Sequence, residues 1–170
     1  WEGEIHKLRY ALGALLVYRH IRLEKDGDAL TAEKLLRRTK ARYTDSYIHL
    51  VHFGMANAFV AKIRTVFGMG NLEKMQISMT TIPENYEDWL IRFLRGTTLV
   101  QVGSALPEIF SIGQIKKTSL RIGKADLEYV IRRYTASPLV RFDPETYDRE
   151  TMPVPRPFAE QSRQILKAVQ

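Results

Sequence analysis

The sequence predicts a mainly α-helical protein, with a compact multi-helix domain over residues 1–137 and an extended proline-rich C-terminal arm and terminal helix over residues 138–170. Apolar residues recur at the three- and four-residue spacing of helices that pack on a core. Five of the seven prolines fall between Pro138 and Pro157, where this spacing is lost. Structureless loops beyond about 12–15 residues are uncommon inside compact domains, so this stretch is predicted to be an arm.

Two helices are predicted in the first 42 residues. The first covers residues 1–25, and the sequence 25–28 then breaks the pattern with a glycine between two aspartates. Thr31 is predicted to cap a second helix that ends near Arg42, with leucines inward and basic residues outward. The apolar positions of the first helix are Ile5, Leu8, Leu12, Leu15 and Leu16.

A third helix is predicted to begin at Asp45 or Ser46, either of which can cap it, and to run to about Phe67. Its apolar stripe is predicted to be core, and Gly68 and Gly70 are predicted to end it. Residues 72–81 alternate like a strand but form a short segment, so the sequence leaves them unresolved.

The second half of the chain is predicted to contain three more helices before the arm. Pro83 is placed in the first turn of a helix that runs through Arg95 and is closed by Gly96. Residues 97–102 fit a short strand or a buried connection, residues 105–112 a short helix, and residues 124–136 a longer one. The terminal helix, residues 158–170, either folds back on its own domain or reaches a neighbouring subunit.

Composition narrows the function. Lys and Arg number 26 against 19 Asp and Glu, which gives a formal charge of +7 and favours nucleic acid, an anionic membrane or an acidic protein as partner. The absence of cysteine excludes disulfides, thiolate zinc sites and a cysteine nucleophile. The longest apolar run, residues 11–18, is far shorter than the ~20 residues of a membrane helix, so no transmembrane segment is predicted.

Basic residues form the strongest candidate site. Lys34, Arg38 and Arg42 follow one another at helical spacing, so like charges meet and repel unless a polyanion binds or salt screens them. The segment 115–124 places four cations and two hydroxyls in a predicted connection before a helix, which suits phosphate oxygens. The residues predicted to line a nucleic-acid-binding groove are Lys34, Arg37, Arg38, Arg42, Arg92, Arg95, Lys116, Lys117, Arg121, Lys124, Arg132 and Arg133.

Motifs for catalysis are scarce. His49 and His52 share a helix face with Asp45, but a metal site normally needs a further ligand and supporting hydrogen bonds. Gly68 and Gly70 lack the rest of a phosphate-binding loop, and no serine lies in a nucleophile motif. We therefore expect no catalytic residue, no metal and no cofactor, and a protein that is not an enzyme.

Two segments, residues 92–100 and 116–127, resemble nucleoproteins of segmented negative-strand RNA viruses, in which an Arg-Gly helix end and a basic segment before an Asp-Leu helix occur in a mostly helical domain. Coat proteins of filamentous RNA viruses are an equally good comparison. The resemblance implies a helical core that grips single-stranded RNA in a basic groove, terminal arms that link neighbouring copies, and a location in the virion or cytoplasm.

The function expected from the sequence is that of an RNA-binding or single-stranded nucleic-acid-binding packaging protein, similar to a nucleoprotein or viral capsid protein. It would contact phosphates in the basic groove and form homo-oligomers through the terminal arm. The first alternative is a helical interaction subunit of a larger ribonucleoprotein or regulatory complex. The second is an enzyme whose site the sequence does not reveal.

Overall fold

A computed structural model describes residues 1–43, 45–64, 68–136 and 153–170, and within these ranges the chain is helical without strands. The mainly α-helical fold class is therefore confirmed. The described chain divides into two compact units, Trp1–Ile82 and Pro83–Gln170. The predicted division after residue 137, and the arm itself up to residue 152, lie outside the described residues.

The first unit consists of four α-helices and a short 3-10 turn. They are α1 (Glu2–Leu23), α2 (Asp26–Thr39), the 3-10 turn Lys40–Arg42, α3 (Tyr47–Ile63) and α4 (Gly68–Thr81). Helix α3 is the centre of this unit, because it packs against α1, α2 and α4 and nearly all of its residues up to Val60 are buried. Its apolar stripe is core, as predicted.

Helix α2 begins at Asp26, five residues before the predicted start at Thr31. Helix α1 ends before Glu24, which adopts the left-handed conformation with a φ of 52°. The sequence predicted that residues 25–28 would end this helix. Asp26 and Asp28 then lie in the first turn of α2, where their charges favour the helix dipole. Asp28 also accepts two hydrogen bonds from Arg19 of α1, at 2.7 and 2.6 Å, which joins the two helices.

Ser46 caps α3 as predicted, because its Oγ accepts a hydrogen bond from the backbone N–H of His49 at 3.4 Å. The helix ends at Ile63, and residues 65–67 lie outside the described residues. Gly68 begins α4, so the prediction that it ends a helix is wrong. A Cβ on Gly68 would lie 2.8 Å from the carbonyl oxygen of Ala61, so glycine is needed for close approach to α3.

Residues 72–81, which the sequence left unresolved, form most of α4. Met75 and Met79 are fully buried and lie one turn apart on the face toward α3. Methionines can fill an irregular gap between two helices, and their alternation with polar residues over a short window imitates a strand.

The second unit contains α5 (Trp89–Ala105), α6 (Phe110–Ala136) and α7 (Arg156–Ala168). Helices α5 and α6 are antiparallel and closely packed at glycines. A Cβ on Gly96 would lie 2.8 Å from the Cβ of Asp126, and one on Gly123 would lie 2.8 Å from Cγ2 of Val100. Gly96 is therefore an interior packing position of α5, and the prediction that it closes the helix is wrong.

Three other boundaries in this unit differ from the predictions. Helix α5 begins after Asp88, whose side chain accepts hydrogen bonds from the N–H groups of Leu90 and Ile91, so Pro83 precedes the helix by six residues. Residues 97–102 are helical, and residues 106–109 are a connection instead of part of a short helix. The basic segment 115–124, predicted as a connection, lies inside α6 because that helix continues from Phe110 to Ala136.

The terminal helix is present as α7 and packs against α5 and α6 of its own unit. The Phe158 ring lies 4.7 Å from that of Trp89 and 5.0 Å from that of Phe93, between ring centroids. Ala159 and Ser162 are fully buried on the same face. Of the two alternatives for this helix, the structure shows the one in which it folds back on its own chain.

Candidate nucleic-acid interface

The first group of predicted residues, which we name the α2 basic face, consists of Lys34, Arg37, Arg38 and Arg42. All four are exposed: the first three lie on α2, whose apolar side faces α1 and α3, and Arg42 lies in the 3-10 turn, because α2 ends at Thr39 and not near Arg42 as predicted. Arg37 lies 3.4 Å from Glu33, and Arg42 lies 3.5 Å from Glu2. Neither Lys34 nor Arg38 makes an ion pair with any residue that the structure describes, so both charges face solvent.

The second group, the α6 basic face, consists of Lys117, Arg121, Lys124 and Arg132. Steps of four, three and eight residues return these positions to the same side of a helix. Lys117, Arg121 and Arg132 are exposed, whereas Lys124 is half-buried. Glu128 lies at the same side between Lys124 and Arg132 and reduces the positive charge there.

Arg121 already has a carboxylate partner at the edge of this face. Its two terminal nitrogens donate to the two oxygens of Glu84, each at 2.9 Å. These hydrogen bonds lower the pKa of Glu84 and raise that of Arg121. Since both side chains are more than half exposed, the pair is screened by water and can open when a phosphate competes for the guanidinium.

Arg92 and Arg95 do not lie on either face, because both are buried against Asp126. Arg92 Nε lies 2.5 Å from one carboxylate oxygen, and Arg95 Nε lies 2.6 Å from the other. Arg95 also donates to the backbone carbonyls of Pro83 and Glu84. The prediction that Arg92 and Arg95 line the nucleic-acid interface is therefore wrong, since both side chains are buried and donate hydrogen bonds to Asp126.

Burial raises the pKa of Asp126, and the two guanidinium groups oppose that shift by favouring the carboxylate. The cluster joins α5 to α6 and to the backbone that precedes α5. The sequence offers one signal for it that the prediction missed: Asp126 lies among Ile122, Leu127 and Val130, which form the buried side of α6. An acidic residue on an apolar face requires a buried partner.

Lys116 and Arg133 are also committed to contacts within the protein. Lys116 Nζ donates to the backbone carbonyl of Leu106 at 2.6 Å, at the start of the connection between α5 and α6. Arg133 Nη1 donates to the hydroxyl of Tyr129 at 3.0 Å. Both side chains are half-buried, so eight of the twelve predicted residues remain on the two basic faces.

His49 and His52, considered as metal ligands, point to different partners. His49 is fully buried and its Nε2 lies 2.9 Å from the hydroxyl of Thr39, while burial lowers its pKa to about 4. His52 lies between two tyrosine hydroxyls, 3.1 Å from Tyr10 and 2.6 Å from Tyr18. Among the described residues no group of three or more metal-ligating side chains occurs. No local pattern predicts the tyrosine contacts, which join α1 to α3 across more than 30 residues.

Comparison with models of protein families, with curated proteins and with solved structures finds no match to this chain. No helix in the described part of the chain is long and apolar enough to cross a membrane. The two basic faces are thus the arrangement on which a proposal of function can rest.

Proposed function

We propose that this protein binds RNA or single-stranded nucleic acid through its phosphates, using the α2 basic face and the α6 basic face, and that it packages the strand as a nucleoprotein does. The observation that carries the proposal is the exposure of two like charges one turn apart, Lys34 and Arg38, neither of which has an ion partner among the described residues; Lys117 and Arg121 repeat the spacing on α6, where Glu84 offsets the charge of Arg121. Such pairs destabilise a helix by about 0.2–0.5 kcal/mol each unless an anion binds between them. A phosphate strand supplies that anion at regular intervals.

The distribution of charge favours the first unit as the stronger contact. It carries 13 of the 26 Lys and Arg residues and 8 of the 19 Asp and Glu residues, so five of the seven net positive charges belong to it. The second unit contributes the α6 basic face, which spans 16 residues, from Lys117 to Arg132, or about 22 Å of helix. Both faces consist of lysine and arginine, which are suited to phosphate oxygens, so contact with the backbone is the proposed mode.

Packaging would also require that copies assemble. The sequence predicted assembly through the terminal arm, but the apolar side of α7 is packed on its own unit. We therefore do not assign α7 to contacts between copies.

Charge reversal on each face tests the proposal. The variants Lys34→Glu/Arg38→Glu and Lys117→Glu/Lys124→Glu each change the net charge by the same amount. Affinity for a fluorescein-labelled single-stranded oligouridine is measured by fluorescence anisotropy at low salt. Each variant is expected to bind at least about tenfold more weakly, because a lost charge-assisted contact is worth roughly 1.5–3 kcal/mol.

The matched control is Lys74→Glu/Lys167→Glu, which makes the same change in net charge at exposed lysines outside both faces. It is expected to change affinity less than about threefold. Equal losses in all three variants would mean that only the total charge matters and would overturn the assignment of the faces. Absence of binding by the wild-type protein would overturn the function and favour the interaction-subunit alternative.

A further inference from the structure

Helix α1 has two apolar sides, of which only one is used inside the protein. Its inward side packs on α2 and α3 through Gly13, Leu16 and Val17, which are buried. A Cβ on Gly13 would lie 2.9 Å from Cγ of Leu36, which shows how closely α1 and α2 approach there. Tyr10 and Tyr18 also contact His52 of α3, whereas a row of apolar residues on the other side of α1 is exposed.

These residues form a continuous exposed row, which we name the α1 stripe: Trp1, Ile5, Leu8, Leu12 and Leu15. The exposed fractions are 98% for Trp1, 69% for Leu8 and 63% for Leu15, with Leu12 at 47% and Ile5 at 37%. The exposed apolar area is on the order of 600 Å² on one helix, which is the upper end of the largest patch on a typical monomer, and such patches are often functional.

The spacing of the α1 stripe fits a second helix as partner. Successive members are four, three, four and three residues apart, which gives two seven-residue repeats along the helix. The row is aligned with a second helix, and the α1 stripe of another copy has the same spacing. We propose that two copies of this chain pair through their α1 stripes as an antiparallel helical dimer.

Charge at the two ends of α1 selects the antiparallel orientation. Glu2 and Glu4 lie in the first turn, where their ion pairs with Arg42 and Lys7 are exposed and can exchange partners. Near the other end, Arg19 is paired with Asp28, whereas Arg22 is exposed and makes no ion pair with a described residue. In an antiparallel pair the acidic end of each helix lies beside the basic end of the other. A parallel pair would place like charges together at both ends.

The antiparallel pair also aligns the apolar residues. In the register that matches alternate positions of the repeat, Ile5 of one copy faces Leu15 of the other, and Leu8 faces Leu12. This arrangement is symmetric about a two-fold axis, so both copies use the same surface. The pair buries roughly 1,200 Å² in total, the lower end of specific interfaces, so a micromolar dissociation constant is expected.

The first test is the mass of the protein in solution, measured by sedimentation equilibrium from low to high micromolar concentration without nucleic acid. The wild-type chain is expected to form a dimer, and Leu8→Glu/Leu12→Glu to remain a monomer with unchanged helical circular dichroism. The matched control is Ile77→Glu, on α4, because Ile77 is 62% exposed and lies off the α1 stripe; it is expected to dimerise normally. A monomeric wild type, or a dimer that Leu8→Glu/Leu12→Glu leaves intact, overturns the proposal.

Orientation is tested by disulfide trapping, for which the chain has no competing cysteine. The single variants Ile5→Cys and Leu15→Cys are oxidised alone and as a mixture, and the products are separated by mass. An antiparallel pair is expected to give the mixed disulfide at least about tenfold faster than either homodisulfide. Faster homodisulfides would overturn the antiparallel orientation. Both tests use protein free of nucleic acid, so their outcome is independent of the proposed RNA binding.

Discussion

Replacing Asp126 with asparagine should lower the free energy of unfolding of the second unit much more than replacing an exposed carboxylate does. The side chain of Asp126 is buried, and it holds two arginines that are 6% and 0% exposed. Asp126→Asn keeps the shape but removes the charge that balances both guanidinium groups. Removing one partner of a buried ion pair costs about 3–5 kcal/mol, because the remaining charge is left unpaired in a poorly solvated site.

The comparison variant is Glu84→Gln, which breaks an ion pair of similar geometry in the same unit. Glu84 and Arg121 are also joined by two hydrogen bonds, but their side chains are 58% and 61% exposed. An exposed pair typically contributes less than about 1 kcal/mol, because water screens both charges. The two variants therefore separate the effect of burial from that of the salt bridge itself.

Urea unfolding followed by tryptophan fluorescence measures the difference. Trp89 lies in the second unit and is 3% exposed, whereas Trp1 is 98% exposed in the folded first unit and changes its surroundings little at protein concentrations below those at which the proposed dimer forms. The emission change thus reports mainly on the second unit. A loss of free energy of unfolding in Asp126→Asn that is no larger than in Glu84→Gln would refute the role given to the buried cluster.

Two further predictions concern close packing and buried histidine. Gly96→Ala should lower the free energy of unfolding by about 1–3 kcal/mol, because the added Cβ would lie 2.8 Å from the Cβ of Asp126. Gly113→Ala is the control: a Cβ there has nothing within 4 Å, so the variant should raise the free energy of unfolding by up to about 1 kcal/mol. Equal effects of the two variants in urea unfolding would contradict this prediction. His49 is neutral in the fold because burial lowers its pKa to about 4, below the ordinary 6.5. Its contribution is complete above about pH 6.5 and is lost as the pH falls toward about 4, so the free energy of unfolding should fall by about 2 kcal/mol between about pH 7.5 and about pH 5 from this residue. His49→Gln should remove that part of the decline, and an unchanged pH dependence in urea unfolding followed by circular dichroism would disprove it.

Helices that depend on local signals were predicted well. Helix α1 follows from apolar spacing, and α3 begins at the capping residue Ser46. The glycines were misjudged because glycine has two uses, to end a helix and to admit a neighbouring helix. Gly68 and Gly96 serve the second use, and the neighbours that require it, Ala61 and Asp126, cannot be identified from residues beside them in the sequence.

In the candidate site, local sequence likewise does not show which basic residues are exposed. Lys34 and Arg38 are exposed where helical spacing predicted them, because the opposite side of α2 is apolar. Arg92 and Arg95 have the same residue types and a similar spacing, yet they are buried. The difference lies in Asp126, which is more than 30 residues away in sequence and meets them only after α5 and α6 pack. Local pattern identifies a cation but does not decide which side of the fold it occupies.

Helical spacing also fails to show whether an apolar side chain is buried. Leu8, Leu12 and Leu15 predicted helix α1 through their spacing, and a helical stripe of leucines is usually core. In the structure they are exposed, while Gly13 and Val17 on another side of α1 form the contact with α2 and α3. Spacing shows that a helix has an apolar side, but it does not show whether the partner belongs to the same chain.

The most direct test of the proposed nucleic-acid binding is the salt dependence of affinity for single-stranded RNA. If the exposed cations of even one basic face neutralise four phosphates, the logarithm of the binding constant should fall with the logarithm of salt at a slope of about −2.8, a loss of roughly fiftyfold between 50 and 200 mM. Binding that changes less than about threefold over this range would contradict the account.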